Sequence, residues 1–204
     1  MALRVTKTIM QLDKPRLQQL LGEAANHGVD RAATQCVRFI KKSFPKTGMY
    51  QPSPAGGPPG TGTRELERSI TATPAKNGRA VVGTNVKYAR IHELGGILKP
   101  TTKKYLTVPV NERAARLRAK YKSLKDAKGL KFATMFGKKF LITRSRKRPE
   151  IMFVLVRSVR MPPRPFLRPA ARNRDNQMAM VKAFGAGFRS IIRKAFKPAP
   201  GSPA

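Results

Sequence analysis

Apolar residues return at three- and four-residue steps along the first part of the chain: Leu17, Leu20, Leu21, Ala24, Ala25, Ala32, Ala33, Cys36, Val37, Ile40 and Phe44. That period predicts an amphipathic helix over residues 13–44. Asp13 is placed to cap it, Pro15 falls in the first turn where its missing N–H costs nothing, and Lys41, Lys42 and Lys46 favour the C-terminal end. Gly28 interrupts the run, either as a tolerated defect or as a close-packing point. Residues 45–63 lose the pattern and fill with Pro and Gly, so they read as a long loop before a short helix, Thr63 to Ser69. Ile70–Thr73 and Ala80–Val82 flank Asn77-Gly78, a hairpin signal. Tyr88 to Leu94 reads as a short helix stopped by Gly95-Gly96.

Further on, Tyr105 to Val110 reads as a strand, with Pro109 at a sheet edge. Glu112 to Leu124 is a charged helix of weak amphipathicity. Leu130–Phe136 and Lys138–Thr143 form a second hairpin around Gly137-Lys138. Ile151 to Val159 is apolar on both faces, as a central strand is. Met161 to Pro169 is an extended arm, since each X-Pro step disfavours helix. A last helix over about 170–196 carries Val181, Phe184, Phe188, Ile191, Ile192, Ala195 and Phe196 as its buried stripe, and residues 197–204 form a frayed tail. The expected class is α+β: one domain over 1–196, with an antiparallel sheet packed against long N-terminal and C-terminal helices.

Charge changes the picture most. The 204 residues hold 43 Lys and Arg against 10 Asp and Glu, a formal net charge of +33. Such an imbalance costs stability through self-repulsion and favours an acidic or polyanionic partner. Cys36 is the single cysteine, so neither a disulfide framework within the chain nor a multi-cysteine zinc site is expected. No apolar run approaches the roughly 20 residues of a membrane span, and the first residues lack a secretory core. The expectation is a soluble chain, intracellular at birth, with no membrane, metal or cofactor.

Candidate chemistry is thin. Gly57-Pro-Pro-Gly-Thr-Gly-Thr-Arg64 lacks the Gly-Lys-Ser/Thr ending of a phosphate loop. His92-Glu93 begins like a zinc-protease helix, but the second histidine would fall at Gly96. His27, His92 and Cys36 read as structural residues, and the acids are scattered singly. A non-enzymatic protein is expected. The cationic clusters contain Lys103 and Lys104, the Arg113 to Lys131 stretch, Lys138 and Lys139, and Arg144, Arg146, Lys147 and Arg148. They suit phosphate contact without base reading.

Three ordered segments carry a resemblance. They are Pro52-Ser-Pro-Ala-Gly-Gly-Pro-Pro59 with Thr61-Gly62 and Leu66-Glu-Arg-Ser-Ile70, then Tyr88-Ala-Arg-Ile-His-Glu-Leu-Gly-Gly96, then Met161-Pro-Pro-Arg-Pro-Phe-Leu-Arg-Pro-Ala170. The set resembles the neck and tail-completion proteins of tailed bacteriophages, a group that includes the Mu-like virion morphogenesis proteins and the lambda-like minor tail protein Z. Thr63-Arg64-Glu65 widens that family's usual gap between Thr-Gly and Leu. The resemblance implies a structural virion protein in head–tail joining or tail completion. It would form an oligomeric ring, a hexamer by preference, among head-closure, tail-terminator or tail-tube proteins. It would be made in the host cytoplasm and end at the neck or tail end of the virion. Tyr88, Glu93, Arg164, Phe166 and Leu167 become candidate partner contacts, with Phe166 a packing anchor first. The alternative is a basic protein that binds nucleic acid without sequence preference.

Overall fold

The expected first helix forms as α1 (Lys14–Ser43) in a computed structural model that describes residues 13–46, 56–60, 64–121, 123–124, 127, 129–144 and 148–196. After it come α2 (Glu65–Ser69), β1 (Thr71–Ala72), β2 (Val82–Gly83), α3 (Ala89–Leu94), β3 (Gly96–Leu98), β4 (Leu106–Pro109) and α4 (Glu112–Lys120). The rest are β5 (Leu130–Met135), β6 (Lys138–Thr143), β7 (Ile151–Val156), β8 (Val159–Met161), α5 (Leu167–Arg172) and α6 (Arg174–Ala195). The class is α+β, and all named strand pairs are antiparallel. Two compact units share the chain. The first draws on Met1–Lys42, Ile70–Thr84 and Arg168–Ala204, the second on Ser43–Ser69 and Asn85–Leu167. The long terminal helices therefore belong to the first unit and the four-stranded sheet to the second. Within the second unit α4 lies on the sheet, against β4 and β7. The expected tail at 197–204 and most of the expected loop at 45–63 fall outside the described residues.

In the first unit α1 and α6 meet at two glycines. A Cβ on Gly28 would stand 2.7 Å from Phe184 Cδ2, and one on Gly187 would stand 3.0 Å from Gly28 Cα. Gly28 is thus a close-packing point. His27 Nδ1 lies 3.1 Å from the Gly187 carbonyl and donates to it. The hairpin β1–β2 turns at Asn77-Gly78, whose φ values of 52° and 70° are those of a type I′ turn. Side chains of α1 hold it: Asn26 Oδ1 accepts from Gly78 N–H at 2.8 Å and Asp30 Oδ1 from Ala75 N–H at 2.6 Å.

Two expectations for the C-terminal part need correction. The extended arm stops short of Pro169, which sits in the first turn of α5, where no helical N–H is required of it. The last helix is also two helices. Asn173 is extended and its side chain caps α6 by accepting from Asn176 N–H at 3.0 Å. Asn176 and Gln177 side-chain amides then donate to the Ala170 and Ala171 carbonyls, which relieves the end of α5. The buried stripe of α6 is narrower than expected. Phe184, Phe188, Ile191 and Ile192 are half-buried, while Val181, Ala195 and Phe196 are exposed.

In the second unit the sheet order is β4-β7-β6-β5. β7 is interior, as its two-sided apolar pattern predicts, and Pro109 lies on edge strand β4. The β5–β6 turn is Phe136-Gly137, one residue earlier than expected, with φ values of 49° and 68°. β7 ends at Val156, and residues 159–161 leave it to pair as β8 with β3. Asn111 caps α4 by accepting from Ala114 N–H at 2.8 Å. α4 stops at Lys120 because Tyr121 is extended, and Leu124 reaches the core from a turn. Ala114, Leu124, Met152 and Phe153 form that core, backed by Leu117, Leu130 and Leu141.

The helix crossing yields opposite signs for one substitution. Gly28→Ala and Gly187→Ala should each destabilise by about 1–3 kcal/mol through overpacking. Gly22→Ala, at an α1 position with open space around it, should stabilise by roughly 0.5–1 kcal/mol through helix propensity. Urea unfolding of the three variants measures this.

Candidate functional site

The second and third motifs meet as a clasp. Gly96, Ile97 and Leu98 pair with Met161, Arg160 and Val159. Arg164 N–H donates to the His92 carbonyl at 2.6 Å. The Glu93 carboxylate accepts from the amides of Phe166 at 2.7 Å and Leu167 at 3.0 Å, so it caps the start of α5 from 73 residues away in the chain. Gly95 makes the approach possible. Its φ is 71°, and a Cβ there would stand 2.8 Å from Pro163 N.

Residues 66–69 of the first motif, with Phe44 and Glu65 upstream of them, lie in the same unit, whereas Ile70 belongs to the other. Phe166 is 0% exposed, and its ring meets that of Phe44 with centroids 5.3 Å apart. Tyr88 donates its hydroxyl to Glu65 on α2 at 3.1 Å. Leu66 of α2 is buried. Residues 52–55 and 61–63 of this motif lie outside the described residues.

The expected partner contacts divide accordingly. Phe166 has no exposed surface to offer, and Glu93 is engaged with backbone amides, so both hold the fold. Tyr88 is exposed, and Arg164 and Leu167 are half-buried. His92 carries a second constraint. Its Nδ1 is buried with no hydrogen-bond partner among the described residues, and its ring meets Tyr88 edge to face at 5.8 Å. Burial, and then the positive charge of Arg164, push its imidazole below its ordinary value of 6.5.

The polyanion candidates gather at two places. One is a groove of about 390 Å³ lined in part by Tyr105, Lys138, Lys139 and Arg157. Lys139 Nζ donates to the Tyr105 hydroxyl at 2.7 Å and stands 4.7 Å from the ring centroid. That hydrogen bond, with the charges of Lys139, Lys104 and Arg157, holds the phenol below its ordinary range. Lys103 and Lys104 are exposed. The other place is the far end of β6, where exposed Arg144 follows Thr143. At about 3.3 Å per residue, the two ends of β6 are roughly 17 Å apart. Arg148 is exposed nearby in sequence, and Arg146 and Lys147 lie outside the described residues. Tyr105 and Arg157 escape sequence reading because only the β4–β7–β6 pairing brings residues 105, 139 and 157 together.

Among the described residues no group of His, Cys, Asp and Glu is placed to hold a metal, and no helix is long and apolar enough to cross a membrane. Cys36 is half-buried, and burial raises its thiol above the ordinary value. Family models, curated proteins and solved structures provide no match to this chain.

The clasp should dominate the stability of the second unit. Phe166→Ala is expected to cost about 3–5 kcal/mol and Glu93→Gln about 1–2 kcal/mol, against under about 1 kcal/mol for Tyr88→Phe, by chemical denaturation. His92 should also make stability depend on pH. A lowered native value means that the unfolded chain takes up the proton first as pH falls. Its contribution is therefore complete above 6.5 and is lost as pH drops through that value towards the native one. His92→Gln should flatten the stability curve there, and an unchanged slope would assign the titration elsewhere.

Proposed function

We propose that the chain is a non-enzymatic structural protein of a tailed-phage virion, acting in head–tail joining or tail completion as a subunit of an oligomeric ring. One observation carries the reading. Residues 88–96 of the second motif and 161–167 of the third, some 65 residues apart in the chain, fall in one compact unit and bond to one another, and residues 66–69 of the first motif lie in that unit beside Glu65, which accepts from Tyr88. Unrelated short matches have no reason to interlock. The residues involved position backbone and fill space, which is the work of a scaffold.

Ring formation needs a heterologous contact that closes under rotation. The second unit offers apolar surface for it. Phe136 in the β5–β6 turn is 99% exposed, and Phe132 on edge strand β5 is exposed with it. The cationic groove at Tyr105, Lys138 and Lys139 then faces either passing DNA or an acidic neighbour. A second reading, a basic protein that binds nucleic acid without sequence preference, is favoured by that same groove.

Removing the gene from the phage genome that carries it should leave unjoined heads and tails. Joined particles at normal yield would overturn the reading. Phe136→Ser should lower joined-particle yield while changing monomer stability by no more than about 0.5 kcal/mol, because the side chain packs on nothing. For the second reading, Lys138→Gln with Lys139→Gln should make the log–log salt dependence of DNA binding shallower by about 0.9 per lost contact. An unaltered slope would assign those lysines to solvent.

A further inference from the structure

We propose that a second groove, between α4 and the β5–β6 part of the sheet, is a docking site for an acidic protein segment that inserts an apolar side chain. The groove has a volume of about 490 Å³, within the roughly 300–1,000 Å³ typical of ligand sites. Arg113, Arg116, Lys120 and Arg144 line it together with Leu117 and Leu130. The two leucines are only partly buried and pack against the core of this unit, so they form an apolar floor beneath a cationic rim.

The rim is incompletely neutralised. Glu150 lies 3.4 Å from Arg113, and Glu112 lies 2.6 Å from Arg116. Among the described residues these two carboxylates form the ion pairs of the rim, and both pairs are exposed, where such bridges contribute little. Lys120 stands 5.5 Å from the ring of its neighbour Tyr121.

Charge selects the occupant. Outside the described residues the chain holds one acidic side chain, Asp126, so its own remaining segments do not complement the rim. A second copy, with 43 cationic residues against 10 acidic ones, has few carboxylates to bring to this rim. Nucleic acid matches the rim but not the floor. Bases bury themselves by stacking on aromatic rings, and among the described residues no aromatic side chain lines this groove. An acidic polypeptide with a leucine or phenylalanine among its carboxylates satisfies both parts. The inference is independent of the virion reading, because its test needs only the isolated chain.

The probe is a short fluorescent peptide of Glu and Asp with interspersed Leu and Phe, titrated with the full chain near 0.15 M salt, where the screening length is about 8 Å. It should bind about tenfold more tightly than an equally acidic peptide with Ser in place of Leu and Phe. Lys120→Glu with Arg144→Glu should weaken it about tenfold, and Lys120→Gln with Arg144→Gln should weaken it less but measurably. Lys76→Glu with Arg79→Glu, the same charge change on the exposed hairpin of the first unit, should leave it within about twofold. Circular dichroism checks each fold, and the Gln pair provides the readout if charge reversal unfolds the chain. Equal binding of the two peptides would overturn the proposal, as would equal losses from the groove and hairpin variants. Displacement of the peptide by duplex DNA whose own binding needs Lys120 and Arg144 would assign the groove to nucleic acid instead.

Discussion

Forty-three cationic side chains share this chain with ten carboxylates, and that repulsion constrains everything else. Ion pairing does little against it. The pairs Arg64–Glu67, Arg113–Glu150 and Arg116–Glu112 all involve a partner that is at least half exposed, where each contributes at most about 1 kcal/mol. Two carboxylates also hold the backbone. Asp30 takes the amide of Ala75, and Glu93 takes those of Phe166 and Leu167. Charge-assisted bonds of this kind fix geometry, and the net charge of the chain remains +33. The fold therefore rests on packing, on turns and on a few placed carboxylates, while its positive field remains directed outward.

Within each unit, distant segments are joined at places where only a small or conformationally free residue fits. Gly28 and Gly187 bring α1 and α6 together, and Gly95 lets residues 92–96 reach residues 161–167. These contacts turn weak local signals into structure. Strands of two and three residues persist because side chains brace them: Asn26 and Asp30 hold the turn region of the first hairpin, and Glu93 secures the chain beyond β8. The four-stranded sheet then brings Tyr105, Lys139 and Arg157 into one groove and leaves Arg144 at the opposite end of β6.

Local signals were legible where a single element satisfied itself. The apolar period of α1, the Asn77-Gly78 turn, the central pattern of β7 and the edge position of Pro109 all follow from residues close in sequence. The misses arise where a distant partner decided the outcome. β8 separates from β7 because β3 pairs with it, and nothing in Gly96-Ile-Leu98 announces a strand. The break at Asn173 depends on Asn176 and Gln177 reaching back to α5. Sequence reading treated Phe166 first as an anchor, and it is one. The role of Glu93 as a cap for a segment 73 residues later had no local signal. The cationic clusters were visible as composition, but their division between two grooves comes only from strand register.

The claim that this charge is left uncompensated within the chain is tested most directly by thermal unfolding of the full protein across ionic strength. Chloride salt raised from about 0.01 M to about 1 M shortens the screening length from about 30 Å to about 3 Å. If the cations repel one another unneutralised, the unfolding midpoint must rise steadily over that range. A midpoint that stays level or falls would mean that repulsion among the cations does not limit the stability of this fold, and the argument for an acidic or polyanionic partner would lose its physical basis.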